Sequence, residues 1–386
     1  MSSALGIVGR YGLLHVALAV LATSAPLAAA SQKEVRVPGP GEPPQLFFAC
    51  CNGRLDAMNT LFADPDVISR LQNLHAGVGV AIDDLSPRRA ETVRRLNAAG
   101  IPVIAGLVLP GDQGYYMNAG NAPQAEARFT AFQQWTAQYG LRWSAIGLDI
   151  EPDIRDFEEL RDHWLRLATQ FMVRYFEFGR VRRAKQAYNA LIRRIQAQGY
   201  KVYTFQLPLI VAERKAHSTL FERLLGIVDV RGDNEVVMIF SGFNRSIGAA
   251  MIWALGPDAQ SIAVGCGTLN GNPLSWEEFS RDLIVASHFS RLVGVYNLEG
   301  CAQLGYISRL ESMDWRQSAA ISAQSLSRAR RFERIARIAL WLAEFLPFIV
   351  LAILIALAWI VSRLWIRRWK RRSAPRASFE PPAIGP

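Results

Sequence analysis

Histidine and cysteine are scarce in this chain, five and four residues among 386. His15, His75, His163, His217 and His288 fall in the signal or in helical and loop stretches, which argues against a histidine-built zinc hydrolase. No Gly-x-Ser-x-Gly elbow occurs, so Ser-His-Asp catalysis has no nucleophile turn. No Gly-x-Gly-x-x-Gly follows an early strand, which sets aside a dinucleotide fold. Cys50, Cys51, Cys266 and Cys301 lack the paired CxxC spacing of a metal site. They read instead as a possible staple, Cys50 or Cys51 to Cys301, closing first strand to last and leaving at least one thiol of the adjacent pair free. Arg231-Gly232-Asp233 reads as a turn. No internal repeat or long low-complexity segment is evident.

Long apolar runs are confined to the two ends. Residues 1–30 read as a signal peptide, with Arg10 in the n-region, an apolar stretch from Tyr11 to Ala22 and a small-residue site at Ala28-Ala29-Ala30. An uncleaved first membrane helix is the alternative. A second run, residues 338–362, is long enough to cross a hydrocarbon core of ~30 Å, with Trp341 and Trp359 near its ends. Glu344 and Pro347 sit in its first half, where an interfacial position or a kink would make them tolerable. Basic segments flank it, residues 328–337 and 363–386, and the excess beyond the run orients the body outside with a basic tail in the cytoplasm. These flanks carry the whole formal net charge of +10, so the body between is neutral. The basic balance therefore points to anionic lipid and not to nucleic acid. The expected partners are the bilayer, through residues 338–362, and a glycan.

Residues 31–44 form a polar Pro/Gly-rich leader, and 45–327 form one large domain. Eight apolar runs punctuate that body: Leu46-Cys51, Val78-Asp83, Pro102-Leu109, Ser144-Glu151, Lys201-Leu207, Glu235-Phe240, Ser261-Cys266 and Arg291-Leu298. Several are apolar on both faces, as parallel strands covered by helices should be. Between them lie helical patterns. Ser86-Pro87 opens one that ends at Ala99-Gly100, Pro123 to Tyr139 forms another, and Ser275 caps a third through His288. Eight strands with helical crossovers define an α/β fold, a (β/α)8 TIM barrel followed by one transmembrane helix. An open doubly wound sheet is the runner-up. Between residues 154 and 199 the chain reads as two helices broken at Gly179, with Phe171, Tyr175, Phe176 and Phe178 as an aromatic cluster that would cover the mouth, contact the membrane or pack on the outer ring.

The most informative stretch is Ser144 to Asp153, a buried strand that runs into three acids spaced two apart. Asp149 and Glu151 share a face by strand parity, with Ala145 and Gly147 leaving space beneath them. Other polar groups gather at strand ends: Asp83 and Asp84, then Asp112 with Tyr115 and Tyr116, then Gln206, then Asn297 and Glu299. Asn297 and Glu299 share a face if the last strand continues, which would turn Tyr296 away from the interior. Tyr115, Tyr116, Tyr296 and Trp143 are candidate sugar platforms.

Gly147-Leu148-Asp149-Ile150-Glu151 resembles the signature of chitinase-like family 18 glycoside hydrolases and related TIM-barrel sugar hydrolases. That family's motif is DGxDxDxE, whose Glu donates the proton and whose Asp two before it assists the substrate acetamide. Aligned on the glycine, Ile146 stands for the first Asp and Asp153 for the donor. Slid by two, Glu151 is the donor and Asp149 its assistant. The resemblance implies glycosidic hydrolysis of an envelope or extracellular polysaccharide with Glu151 as general acid, Asp149 tuning it, and no cofactor. Glu299, opposite in a barrel, is a second carboxylate suited to an inverting arrangement, or the partner of an arginine such as Arg54. Two other readings stay open: a non-catalytic carbohydrate-binding or scaffold barrel, and a phosphodiester hydrolase using Mg²⁺ or Ca²⁺ on Asp83, Asp84, Asp149, Glu151 and Glu299.

Overall fold

The computed structural model describes residues 34–50, 55–156, 164–267 and 272–372. Residues 1–30, read above as a signal peptide, together with Cys51, Arg54, His163 and most of the basic tail, lie outside them. Strand β1 (Glu34–Val37) belongs to a small separate sheet. Eight strands then form a closed parallel barrel in chain order: β2 (Gln45–Cys50), β3 (Gly77–Ile82), β4 (Val103–Leu107), β5 (Ala145–Ile150), β6 (Val202–Gln206), β7 (Asn234–Met238), β8 (Ser261–Gly265) and β9 (Leu292–Tyr296). β2 pairs with β9 to close it. Each expected run holds one of these strands. A final strand β10 (Ala319–Ser322) pairs antiparallel with β1, so part of the polar leader is structured.

The helices that separate the strands form where the caps dictate. Ser86 accepts from Arg89 N at the head of Pro87–Ala98. Ser275 and Glu278 make a reciprocal capping box on Trp276–Phe289. In the long β5–β6 connection the helices are Trp164–Arg174 and Phe178–Ala197. The break therefore falls at residues 175–177, before Gly179.

Alternation along the strands decides what fills the barrel. Phe47, Ile104, Ala145, Val236 and Ala263 form an inner cluster with Tyr203, Phe205, Met238, Phe240 and Leu292. Gly147 and Gly294 belong to the same inner face. A Cβ on Gly147 would sit 2.8 Å from the Phe205 ring, and one on Gly294 would sit 2.6 Å from the Phe47 ring. The two rings meet edge to face with centroids 6.1 Å apart. The space expected beneath the acids is thus taken by phenylalanine, and the barrel has an apolar floor.

The described residues end in one 50-residue helix, Ala323–Arg372. Its first half packs on the barrel and is not a free juxtamembrane segment. Leu326, Ala329 and Leu340 are buried, and Lys215 bonds Glu333 at 2.6 Å. Glu344 is buried as well. It pairs with Arg223, and it accepts from Ser218 Oγ at 3.1 Å and Thr219 N at 3.3 Å. The exposed apolar stretch long enough to cross a membrane begins beyond it, Pro347–Ile366, with a mean hydropathy of 2.5. The run therefore starts later than residue 338, because Glu344 is spent on the barrel. Pro347 has no N–H for the Ala343 carbonyl, and the Tyr175 hydroxyl donates to that carbonyl instead.

Candidate functional site

β5 delivers Asp149 inside its last turn of pleat and Glu151 just past its end. Asp149 is half-buried and Glu151 buried, at 7 % exposure. Their carboxyl groups are hydrogen-bonded to each other. Burial over the apolar floor pushes Asp149 up to about 7. Burial, then the Asp149 charge, pushes Glu151 well above the usual carboxylate range. Glu151 therefore holds the proton and donates to Asp149, and the two titrate as a pair. Asp149 Oδ1 is buried with no hydrogen-bond partner among the described residues. An acceptor left open beside a protonated acid is suited to a substrate N–H or O–H.

Other acids of the rim are engaged by arginines. Asp153 is bonded by Arg155 at 2.5 Å; burial works to raise it, but the bonds and charge of Arg155 win and hold it low. Asp156 takes a two-pronged contact from Arg174 at 2.6 and 2.9 Å. Arg89, fully buried, reaches Asp83 and also Asp84 at 2.7 Å. Burial raises Asp83 on balance, while the Arg89 and Ser86 bonds keep Asp84 far below its ordinary value despite burial. The five-acid oxygen cage that Mg²⁺ or Ca²⁺ would need is not assembled: among the described residues no three His, Cys, Asp or Glu are grouped to hold a metal. These arginines were missed in the sequence, although the spacings Asp84 to Arg89 and Asp153 to Arg155 were there to be read.

The β4 loop is stitched to β5. Met117 N donates to Asp149 O at 2.9 Å and Ile154 N to Gly114 O at 3.2 Å. Tyr115 and Tyr116 pack edge to face, centroids 4.9 Å apart, within this loop. Tyr115 carries φ +59°, a left-handed backbone that a tyrosine rarely adopts. The loop is clamped from behind by Tyr188, whose hydroxyl lies 3.0 Å from Asn118 O and 2.9 Å from Asn121 Oδ1. Asp112 is exposed, and its carbonyl accepts from Arg155 at 2.8 Å.

Five expectations change elsewhere. Gln206 points to the outside of the barrel, its amide donating to Val228 O and Val230 O at 3.1 and 3.2 Å, because inner parity on β6 belongs to Tyr203 and Phe205. β9 stops at Tyr296, so the parity argument for Asn297 and Glu299 does not apply. Asn297 caps the helix Leu298–Gln303 and Glu299 lies in its first turn. Tyr296 instead shares the inner face with Leu292 and Gly294, 5.5 Å from the Phe240 ring. Trp143 packs on Phe132 and Trp135 and donates to Thr136 Oγ1 at 3.0 Å, away from the β5 acids. Cys50 is disulfide-bonded, but Cys301 is a buried thiol beside Cys266, so no staple joins it to the first strand. Burial, then the hydrogen bond with Cys266, pushes the Cys301 thiol up.

No protein-family model matches the chain, and no curated protein matches it in sequence. Among solved structures it is similar to the PgaB (BpsB) glycoside hydrolase domain from Bordetella bronchiseptica, at 10% identity and TM-score 0.47, over 71% of this chain and 99% of that one. It is also similar to the tryptophan synthase alpha-subunit of Pyrococcus furiosus, at 10% identity and TM-score 0.37, over 70% and 97%. D-allulose 3-epimerase from Methylomonas sp. matches at 9% identity and TM-score 0.38, over 78% and 98%. Likeness at these scores carries no argument about function.

Proposed function

We propose that this chain is a glycoside hydrolase that acts on an envelope or extracellular polysaccharide, with Glu151 as general acid. One observation carries the reading: half-buried Asp149 and buried Glu151 stand together at the end of β5, above an apolar floor, where burial pushes both carboxyls up. Acid catalysis at neutral pH needs a carboxyl that is still protonated there, and burial next to Asp149 supplies it. Glu151 gives its proton to the glycosidic oxygen as the bond to the anomeric carbon lengthens. Asp149, then relieved of its neighbour's proton, orients a substrate amide or faces the developing positive charge. Asp153 is a poor donor, because Arg155 keeps it ionised. This favours the motif register with Glu151 as donor.

In this reading Glu299, on the opposite side of the barrel, is the second carboxylate: it takes a proton from the water that attacks the anomeric carbon as the leaving oxygen departs. Tyr115, Tyr116 and Tyr296 offer faces to sugar rings, while Asp112 and Asn297 edge the mouth. Asp83 and Asp84, fixed by Arg89, form an acceptor edge for hydroxyl groups. The stretch Pro347–Ile366 anchors the chain in a bilayer, with the barrel extracytoplasmic and the basic tail inside.

A second reading, a non-catalytic glycan-binding barrel, is favoured by the arginines that neutralise Asp83, Asp84 and Asp153. Release of reducing ends from polysaccharide by the full chain in detergent separates the two. Hydrolysis requires that Glu151→Gln lose about 10²–10⁴-fold in turnover while glycan binding persists. Binding without turnover in the unmodified chain establishes the second reading and removes the first.

A further inference from the structure

The junction of the helices Trp164–Arg174 and Phe178–Ala197, the facing helix ends included, is apolar and exposed. Met172, Val173 and Phe176 are 66, 63 and 67 % exposed, and Phe178 is 39 % exposed. Four large apolar side chains within seven positions, turned to solvent, call for a partner. The patch is continuous with the membrane stretch. The Phe178 ring lies 6.3 Å from that of Phe348, the second residue of Pro347–Ile366, and the Tyr175 hydroxyl bonds Ala343 just before it. Arg182 and Arg183, both exposed, follow on the next turn, where headgroup phosphates would lie.

The same segment is fastened to the acid-bearing rim. Asp156, five residues after Glu151, holds Arg174, the last residue of the first helix. Arg174 also donates to Leu224 O at 3.2 Å, and Ala119 N donates to Gly226 O at 2.6 Å, which ties in the β4 loop. Arg223 joins the whole group. Its guanidinium lies over the Tyr175 and Phe178 rings, at 4.9 and 4.0 Å, while it pairs with Glu344.

We propose that residues 172–178 dip into the apolar edge of the bilayer, making a second membrane contact beside the helical anchor. The β4–β6 sector of the barrel mouth is then held against the membrane surface. Resting on the hydrolase reading, the substrate is a glycan presented at that surface and not one free in solution. A second copy of the chain is the competing occupant of the patch.

The test uses the full chain in phosphatidylcholine–phosphatidylglycerol nanodiscs. Spin labels are placed one at a time through Met172→Cys, Phe176→Cys and Gln186→Cys, the last an exposed control on the following helix. The unsubstituted chain measures background labelling. Membrane contact requires labels at 172 and 176 to collide more with oxygen than with a water-soluble nickel chelate, with the reverse at 186. Chelate access at 176 equal to that at 186 overturns the proposal. So does protection from both reagents with spin–spin broadening, which means a second copy covers the patch. This measurement uses no turnover, so it stands or falls apart from the hydrolase reading. For the substrate class, the variant Met172→Ser/Val173→Ser/Phe176→Ser is compared on two substrates. Its kcat/KM on a vesicle-tethered glycan is expected to fall about tenfold through lost effective concentration, with soluble oligosaccharide unaffected. Equal rates on both overturn the surface-glycan assignment.

Discussion

Asp149→Asn is expected to make the protein more stable as pH rises, relative to the unmodified chain. In the folded state Asp149 titrates near 7, against 3.8 for an ordinary aspartate. Between those values the folded chain binds more protons than the unfolded one, so this group's contribution to stability falls with increasing pH. That contribution is complete below about pH 4 and gone above about pH 7. Roughly three units at about 1.36 kcal/mol each set a ceiling near 4 kcal/mol. The pair shares its titration and Asp149 keeps some contact with water, so about half of that is the working figure. Asparagine keeps the shape and removes the charge. The variant should therefore gain about 2 kcal/mol on the unmodified chain between pH 4 and pH 8, or roughly 4–8 °C in melting temperature. Near-UV circular dichroism of thermal unfolding in detergent, stepped through that range, reads the difference directly. A gap between the two chains that does not change with pH would refute the buried-pair argument. A variant less stable than the parent at pH 8 would refute it more strongly.

Two further outcomes concern the junction between barrel and tail helix. Arg223→Met leaves the Glu344 carboxylate buried without its cation, which should cost about 3–5 kcal/mol; the double change with Glu344→Leu should recover most of it in the same melt. Tyr175→Phe strands the Ala343 carbonyl that Pro347 cannot serve, a loss of about 1–3 kcal/mol. That loss should shrink in the Pro347→Ala background, where a helical N–H returns, as a double-mutant cycle of unfolding temperatures would reveal.

The barrel was legible because its strands are apolar on both faces and its helices are capped by residues that leave clear signals. Runs such as Gly77–Ile82 and Ser261–Gly265 have few other ways to be buried. The carboxyl pair followed from the same alternation carried one residue further, since Asp149 lies in β5 and Glu151 just past its end. Partners across the structure were not legible. Nothing local tells that Phe205 fills the place above Gly147 or that Glu344 belongs to the barrel and not to the apolar run. Strand ends were the other weak point. One residue separates a lining position from a cap at Tyr296-Asn297, and one step of parity separates Phe205 from Gln206. Hydrophobic periodicity locates a strand more securely than it locates its last residue.

The crossed rings of Phe47 and Phe205 stop the barrel beneath Asp149 and Glu151. Whatever settles over Asp149 and Glu151 must arrive and depart through the same face, with no drain at the far end. On the proposed hydrolase reading, a long polymer would lie across that face with both of its ends outside.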